Sequence, residues 1–91
     1  MLRINTKTDL KVTVFELEGK LTGAWVKELE TCWRERSAPD RPAKVVLKAV
    51  TFIDASGREL LAEMHRQGAE IVAQECMTKA IVEDIVRTPR R

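Results

Sequence analysis

The chain is poor in the residues from which most small catalytic and metal sites are built: it has one histidine, two cysteines and four glycines. The lone histidine, His65, follows Ser56 by nine positions. On a helix turning by about 100° per residue, that spacing puts the two on opposite faces, so no base reaches the hydroxyl. Asp54 cannot orient that histidine either. Cys32, His65 and Cys76 show no ligand pairing at short spacing, which excludes a zinc-type site. Gly19 and Gly23 stand apart, without the further glycines and the lysine that a phosphate-cradling loop requires. There is therefore no catalytic residue, no metal and no cofactor to assign.

Charge of one sign is also lacking. Sixteen Lys and Arg stand against fourteen Asp and Glu, for a net charge of +2, too small to argue for nucleic acid or an acidic membrane. Arg87, Arg90 and Arg91 cluster at the end and read as a solvated terminus. No apolar run approaches the roughly 18 residues that span a bilayer, and the opening MLRINTKTDLKV carries no apolar signal segment. Two cysteines without such a segment point to a reducing compartment, where both act as small apolar side chains. The expectation is a cytoplasmic protein with no membrane insertion and no nucleic-acid partner.

What is there is a single ordinary globular domain over residues 1–91, with 44% hydrophobic and 33% charged residues. Leu2 and Ile4 read as a short strand and Thr6–Asp9 as a turn. Leu10–Glu18 reads as a strand with apolar residues in both phases (Val12 and Val14, then Phe15 and Leu17), ended by Gly19. Thr22 is placed to cap a helix whose stripe is Trp25, Val26, Leu29, Cys32 and Trp33; the tryptophans read as core or adaptable surface. Ser37–Pro42, with two prolines, breaks that helix. Ala43–Leu47 reads as a central, parallel strand, Lys48-Ala49 as a turn and Val50–Ile53 as its continuation. A helix follows, then a strand over Ala69–Ala73. A last helix is marked by Met77, Ala80, Ile81 and Ile85 and ends near Thr88-Pro89. The order β-β-α-β-α-β-α predicts an α/β domain with a mixed sheet and helices mainly on one side.

The stretch TFIDASGRELLAEMHRQGAEIVA carries the most information. Ser56 with Glu59 three residues later spells a capping box. Leu60, Leu61 and Met64 form a buried stripe, Gly68 is read as a close approach to the next strand, and Arg58, Glu59, Glu63 and Arg66 face water. Asp54 stands at the helix N-terminus, where a negative charge is favoured.

In the order VTFIDASG, helix, QGAEIVA, the sequence resembles the STAS domain, the family of sulphate-transporter and anti-sigma-factor antagonist domains. LEGKLTG is similar to that family's strand end and helix entry, VVLKAVTFIDASG to its central strand and switch loop, and GAEIVA to the strand that follows. The resemblance implies a STAS-like fold and a regulatory, non-enzymatic function. On it, an anti-sigma factor or related kinase-like ATPase binds the loop residues Asp54, Ala55, Ser56, Gly57 and Arg58 and the helix after them. The family's phosphorylated serine follows the aspartate, and that position is Ala55 here. The resemblance therefore implies binding without the usual phosphorylation switch, with Ser56 as the alternative acceptor. Val46 stands where the family often has a polar residue. Longer members add a strand and helix after the third helix. On the resemblance, that difference opens a sheet edge or apolar patch to a partner or to a second copy in a homodimer. The alternative function is an accessory subunit of a sensory scaffold or of a membrane-lipid transporter ATPase; a small-ligand domain is a third class.

Overall fold

The computed structural model describes residues 2–8, 11–36, 42–74 and 76–87. Strands β1 (Leu2–Thr8), β2 (Thr13–Leu21), β3 (Ala43–Ile53) and β4 (Glu70–Ala73) form one sheet in the order β1-β2-β3-β4. Helices α1 (Ala24–Arg36), α2 (Ala55–Arg66) and α3 (Cys76–Arg87) complete the expected order. The β1–β2 pair is antiparallel, whereas β2–β3 and β3–β4 are parallel. The steps from β2 to β3 and from β3 to β4 run in one direction across the sheet. Right-handed crossovers that step the same way lay their helices on the same face.

Burial marks that face. Leu2 on β1, Phe15, Leu17 and Leu21 on β2, Val45, Leu47, Val50 and Ile53 on β3, and Ile71 on β4 belong to one core with Val26, Leu29, Trp33, Leu60, Leu61, Met64, Val82 and Ile85 from the helices. The opposite face carries Arg3, Asn5, Lys7, Glu16, Glu18, Lys20, Lys44 and Glu70, all exposed or half-buried. The sheet is thus covered on one side by the three helices, as the sequence predicts.

Several local readings change. Thr6–Thr8 is not a turn but the end of β1, paired with Phe15, Val14 and Thr13; Asp9 and Leu10 lie outside the described residues. Gly19 does not end β2, which runs through it to Leu21. Lys48-Ala49 is not a turn either. The β2–β3 register jumps from Leu17↔Leu47 to Glu18↔Ala49, and again from Gly19↔Val50 to Lys20↔Phe52. Lys48 and Thr51 are the extra residues of two bulges. Each bulge resets the alternation by one position, which is why Leu47, Val50 and Ile53 are buried at intervals of three. The helix stripes hold with two exchanges: Trp25 is exposed and Cys32 half-buried in α1, while in α3 Ala80 is exposed and Val82 is buried. Ser37–Arg41, Thr88-Pro89 and the side chain of Met77 lie outside the described residues.

Two glycines explain how α2 sits. Gly68 makes no close approach: nothing lies within 4 Å of where its Cβ would stand, and its φ is +101°. It closes α2 in a Schellman turn, with Gly68 N–H donating to the His65 carbonyl and Ala69 N–H to that of Met64 (2.9 Å). The close approach belongs to Gly57, where a Cβ would stand 2.8 Å from the Leu21 carbonyl oxygen and 2.9 Å from Ile53 Cγ2. Glycine inside a helix ordinarily costs about 1 kcal/mol relative to alanine. Here a methyl group meets backbone, so Gly57→Ala should destabilise by about 1–3 kcal/mol, as overpacking does. Urea denaturation of the variant measures it; an unchanged or raised midpoint would show that α2 can lift from β2 at no cost.

Candidate functional site

Because β2 and β3 are parallel, the segments leaving their C-terminal ends emerge at the same edge of the sheet. There Asp54 follows Ile53, and Thr22-Gly23 follows Leu21. The Asp54 N–H donates to the Leu21 carbonyl (3.2 Å), which seats the turn on the end of β2. The Asp54 carboxylate then receives three donors. Gly57 N–H (2.8 Å) and the Ser56 hydroxyl (2.9 Å) donate to Oδ1, and Gly23 N–H (3.0 Å) donates to Oδ2. Gly57 lies in the first turn of α2 and Gly23 immediately precedes α1. One side chain therefore satisfies backbone donors at the N-termini of two helices.

This overturns the capping box. The N-cap of α2 is Asp54, in an extended conformation, and the helix begins at Ala55. Ser56 is already helical and gives its hydroxyl proton to Asp54 instead of accepting from Glu59. The Glu59 carboxylate makes no hydrogen bond or ion pair among the described residues. A similar correction applies at α1, where Thr22 contributes its carbonyl to Trp25 N–H (3.0 Å) and the helix starts at Ala24.

The Gly57 N–H, then the Gly23 N–H and the Ser56 hydroxyl, stabilise the ionised carboxylate and hold the Asp54 pKa below its ordinary value. At neutral pH the turn is therefore pinned by a charged group placed against two helix dipoles.

Of the five candidate contact residues, Asp54 is half-buried, Ala55, Ser56 and Arg58 are exposed, and Gly57 is buried beneath α2. Gly57 belongs to α2 itself, and its role is the close packing of that helix against the strand ends described above. Arg58 is held by an ion pair to Asp84 of α3 (2.6 Å), with both side chains largely in solvent; such a pair contributes about 0–1 kcal/mol. The sequence reading left Trp25 between core and adaptable surface and missed Phe52. Phe52 is 54% exposed and Trp25 38% exposed, and they are the large hydrophobic side chains left in solvent among the described residues. Phe52 stands two positions before Asp54 and Trp25 two after Gly23. Phe52 carries no local signal of this, because the bulge at Thr51 that turns an apparently buried run outward arises from the β2–β3 register.

Ser56 faces Asp54 and no base, and among the described residues no group of histidine, cysteine or acidic side chains is arranged to hold a metal. The edge offers no topological switch point, because the crossovers on either side of β3 lie on the same face, so it lacks the crevice in which α/β sheets bind small ligands. What it presents is a fixed turn.

Acid unfolding tests the Asp54 latch. A carboxylate with a lowered folded pKa adds stability above its unfolded pKa, and that stability is lost as pH falls through the folded value. Asp54→Asn, which keeps a capping side chain without the charge, should flatten the loss of stability below roughly pH 5. Ser56→Ala should shift stability by no more than about 0.5 kcal/mol, because it removes one exposed hydrogen bond. Thermal melts across pH separate the two; a parallel pH profile for Asp54→Asn, or a larger effect at Ser56, would overturn the assignment of the cap.

No protein-family model matches the chain, and no curated protein matches it by sequence. Solved structures do match. The chain is similar to the crystal structure of an anti-sigma factor antagonist from Mycobacterium paratuberculosis, with a TM-score of 0.78 and 19% identity over 91% of this chain and 76% of that one. It is also similar to the crystal structure of Mglu, with a TM-score of 0.62 and 17% identity over 78% of this chain, although that match spans only 19% of Mglu. The element order and the mixed sheet are those of a small α/β domain with the STAS-like fold of an anti-sigma factor antagonist.

Proposed function

We propose that this protein is a regulatory binding module that captures an anti-sigma factor or related kinase-like ATPase in the cytoplasm, without itself catalysing a reaction. The observation that carries the reading is the turn at the end of β3. Three donors lock Asp54, so Ala55 and Ser56 are held out in solvent at a fixed place, with the exposed Phe52 and Trp25 on the segments that lead to and from the junction. A preorganised turn suits protein recognition, because little conformational entropy is lost on docking. The likeness to an anti-sigma factor antagonist supports the class of partner. No helix among the described residues is long and apolar enough to cross a membrane.

Regulation by the family's serine switch does not fit these residues. Ala55 has no hydroxyl, and the Ser56 hydroxyl is engaged by the Asp54 carboxylate. A phosphate there would set nearly two negative charges beside an ionised group. Binding is accordingly constitutive, governed by the amounts of the two proteins.

Affinity capture from the source cell, with partners identified by mass spectrometry, tests this reading. The wild-type chain should retain an ATPase of the anti-sigma type. Ala55→Glu should lose it by at least about tenfold, since a charge placed at the centre of a desolvated contact costs more than about 1.4 kcal/mol. The intact mass should stay unchanged after incubation with that partner and ATP. Equal capture by the variant would move the docking face elsewhere, and stoichiometric phosphate on Ser56 would overturn constitutive binding.

A further inference from the structure

The open face of the sheet is electrically uneven. In the half where β2 and β3 begin, its charges are answered within the sheet. Lys7 pairs with Glu16 (3.6 Å), the Asn5 amide donates to the same carboxylate, and Lys44 stands opposite Glu70 in the β3–β4 register. In the half next to the Asp54 turn, Arg3 stands opposite Glu18. Two lysines are left over there, Lys20 on β2 and Lys48 on β3. Both are exposed, and neither has an ion-pair partner among the described residues.

Phe52 shares that half. Leu47, Val50 and Ile53 point into the core, so the bulged residues between them, Lys48 and Phe52 included, face the open side. Phe52 is 54% exposed and is the register partner of Lys20. The two side chains therefore leave one face from adjacent strands, about 4.8 Å apart. Lys48 precedes Phe52 by four positions, about 13 Å along the strand. On its other flank Phe52 has no strand neighbour, because β4 ends opposite Leu47. The ring thus stands clear at the margin of the sheet, with unpaired cations beside and behind it.

The charge pattern selects among occupants. A second copy docked face to face about a two-fold axis through this half would bring lysines towards lysines. Single-stranded nucleic acid needs several rings for its bases and a continuous basic track for its phosphates. This half offers one ring, and Glu16, Glu18 and Glu70 interrupt the track across the face. A protein segment that is both apolar and acidic meets both features present. We infer that this half of the open face docks an acidic segment of a partner protein, with an apolar side chain on the Phe52 ring and carboxylates against Lys20 and Lys48. The inference rests on the partner-binding reading, since Phe52 leads directly into the Asp54 turn. It extends that docking surface round the strand ends and names the charge that the partner carries.

The test uses a defined probe and not the captured partner. A synthetic peptide of about eight residues, leucine alternating with glutamate, is long enough to cover the distance from Lys48 to Phe52. It is titrated into the ¹⁵N-labelled protein alongside a counterpart with lysine for every glutamate and a short oligothymidylate. The acidic peptide should bind saturably, more weakly as salt is raised, and shift the amide signals of Lys20, Lys48, Ala49 and Phe52. Phe52→Ala, and Lys20→Glu combined with Lys48→Glu, should each weaken it at least about tenfold. Lys79→Glu, on α3, should leave binding unchanged. The spectra report folding of each variant, and Lys48→Gln provides a milder second one. No saturable binding, equal binding of the basic peptide, tighter binding of the oligothymidylate, or shifts mapping to the helical side would overturn the inference. Capture of an ATPase that depends on Ala55, with no peptide binding, would sink this face and leave the turn reading standing. Peptide binding with no Ala55-dependent capture would do the reverse.

Discussion

The Asp54 carboxylate joins two segments that the chain separates by 31 residues. Everything at the functional edge depends on that junction. A helix that begins at a strand's end leaves its first backbone N–H groups without partners, and two parallel strands ending together create that deficit twice in one place. A single ionised side chain between them answers both, and its charge is itself held by the donors it satisfies. The link between the N-termini of α1 and α2 and the projection of Ala55 and Ser56 follow from it.

That junction works because α2 is let down close to the sheet. Gly57 passes within a methyl group's reach of the Leu21 carbonyl and Ile53, so the first turn of α2 sits against the ends of both strands with its N–H aimed at Asp54. The two bulges in β3 serve the same end. By adding Lys48 and Thr51 to one strand but not the other, they keep Val50 and Ile53 in the core and turn Phe52 outward next to the turn. The exposed aromatic and the buried anchor are thus products of one local irregularity. Bulges are common beside functional sites because they re-aim side chains in this way.

The two faces of the sheet divide the labour of the fold. Packing and the crossovers assemble the helices on one side, which leaves the edge at the strand ends carrying the shaped, charged turn. The carboxylate at the edge has its pKa lowered by backbone donors that it caps. A lowered pKa here reports architecture, not acid–base chemistry.

By itself, the sequence determined the element order, the single core and the fold. Apolar spacing of three and four residues in α1 and α2, β-branched runs in β2 and β3, and glycine after α2 are local signals, and local signals survive without knowledge of neighbours. The importance of the Asp54–Gly57 stretch was legible for the same reason, since a strand handing over to a helix must solve its N-terminal donors within a few residues. Which residue solves them was not. Ser56 and Glu59 satisfy the capping pattern on paper, but Asp54 also finds Gly23, and a cap that serves two helices outcompetes one that serves a single helix. The bulges at Lys48 and Thr51, the outward turn of Phe52 and the reassignment of close approach from Gly68 to Gly57 all depend on how β2 and β3 align, or on how α2 lies against them. Those are long-range registers, and only the folded chain decides them.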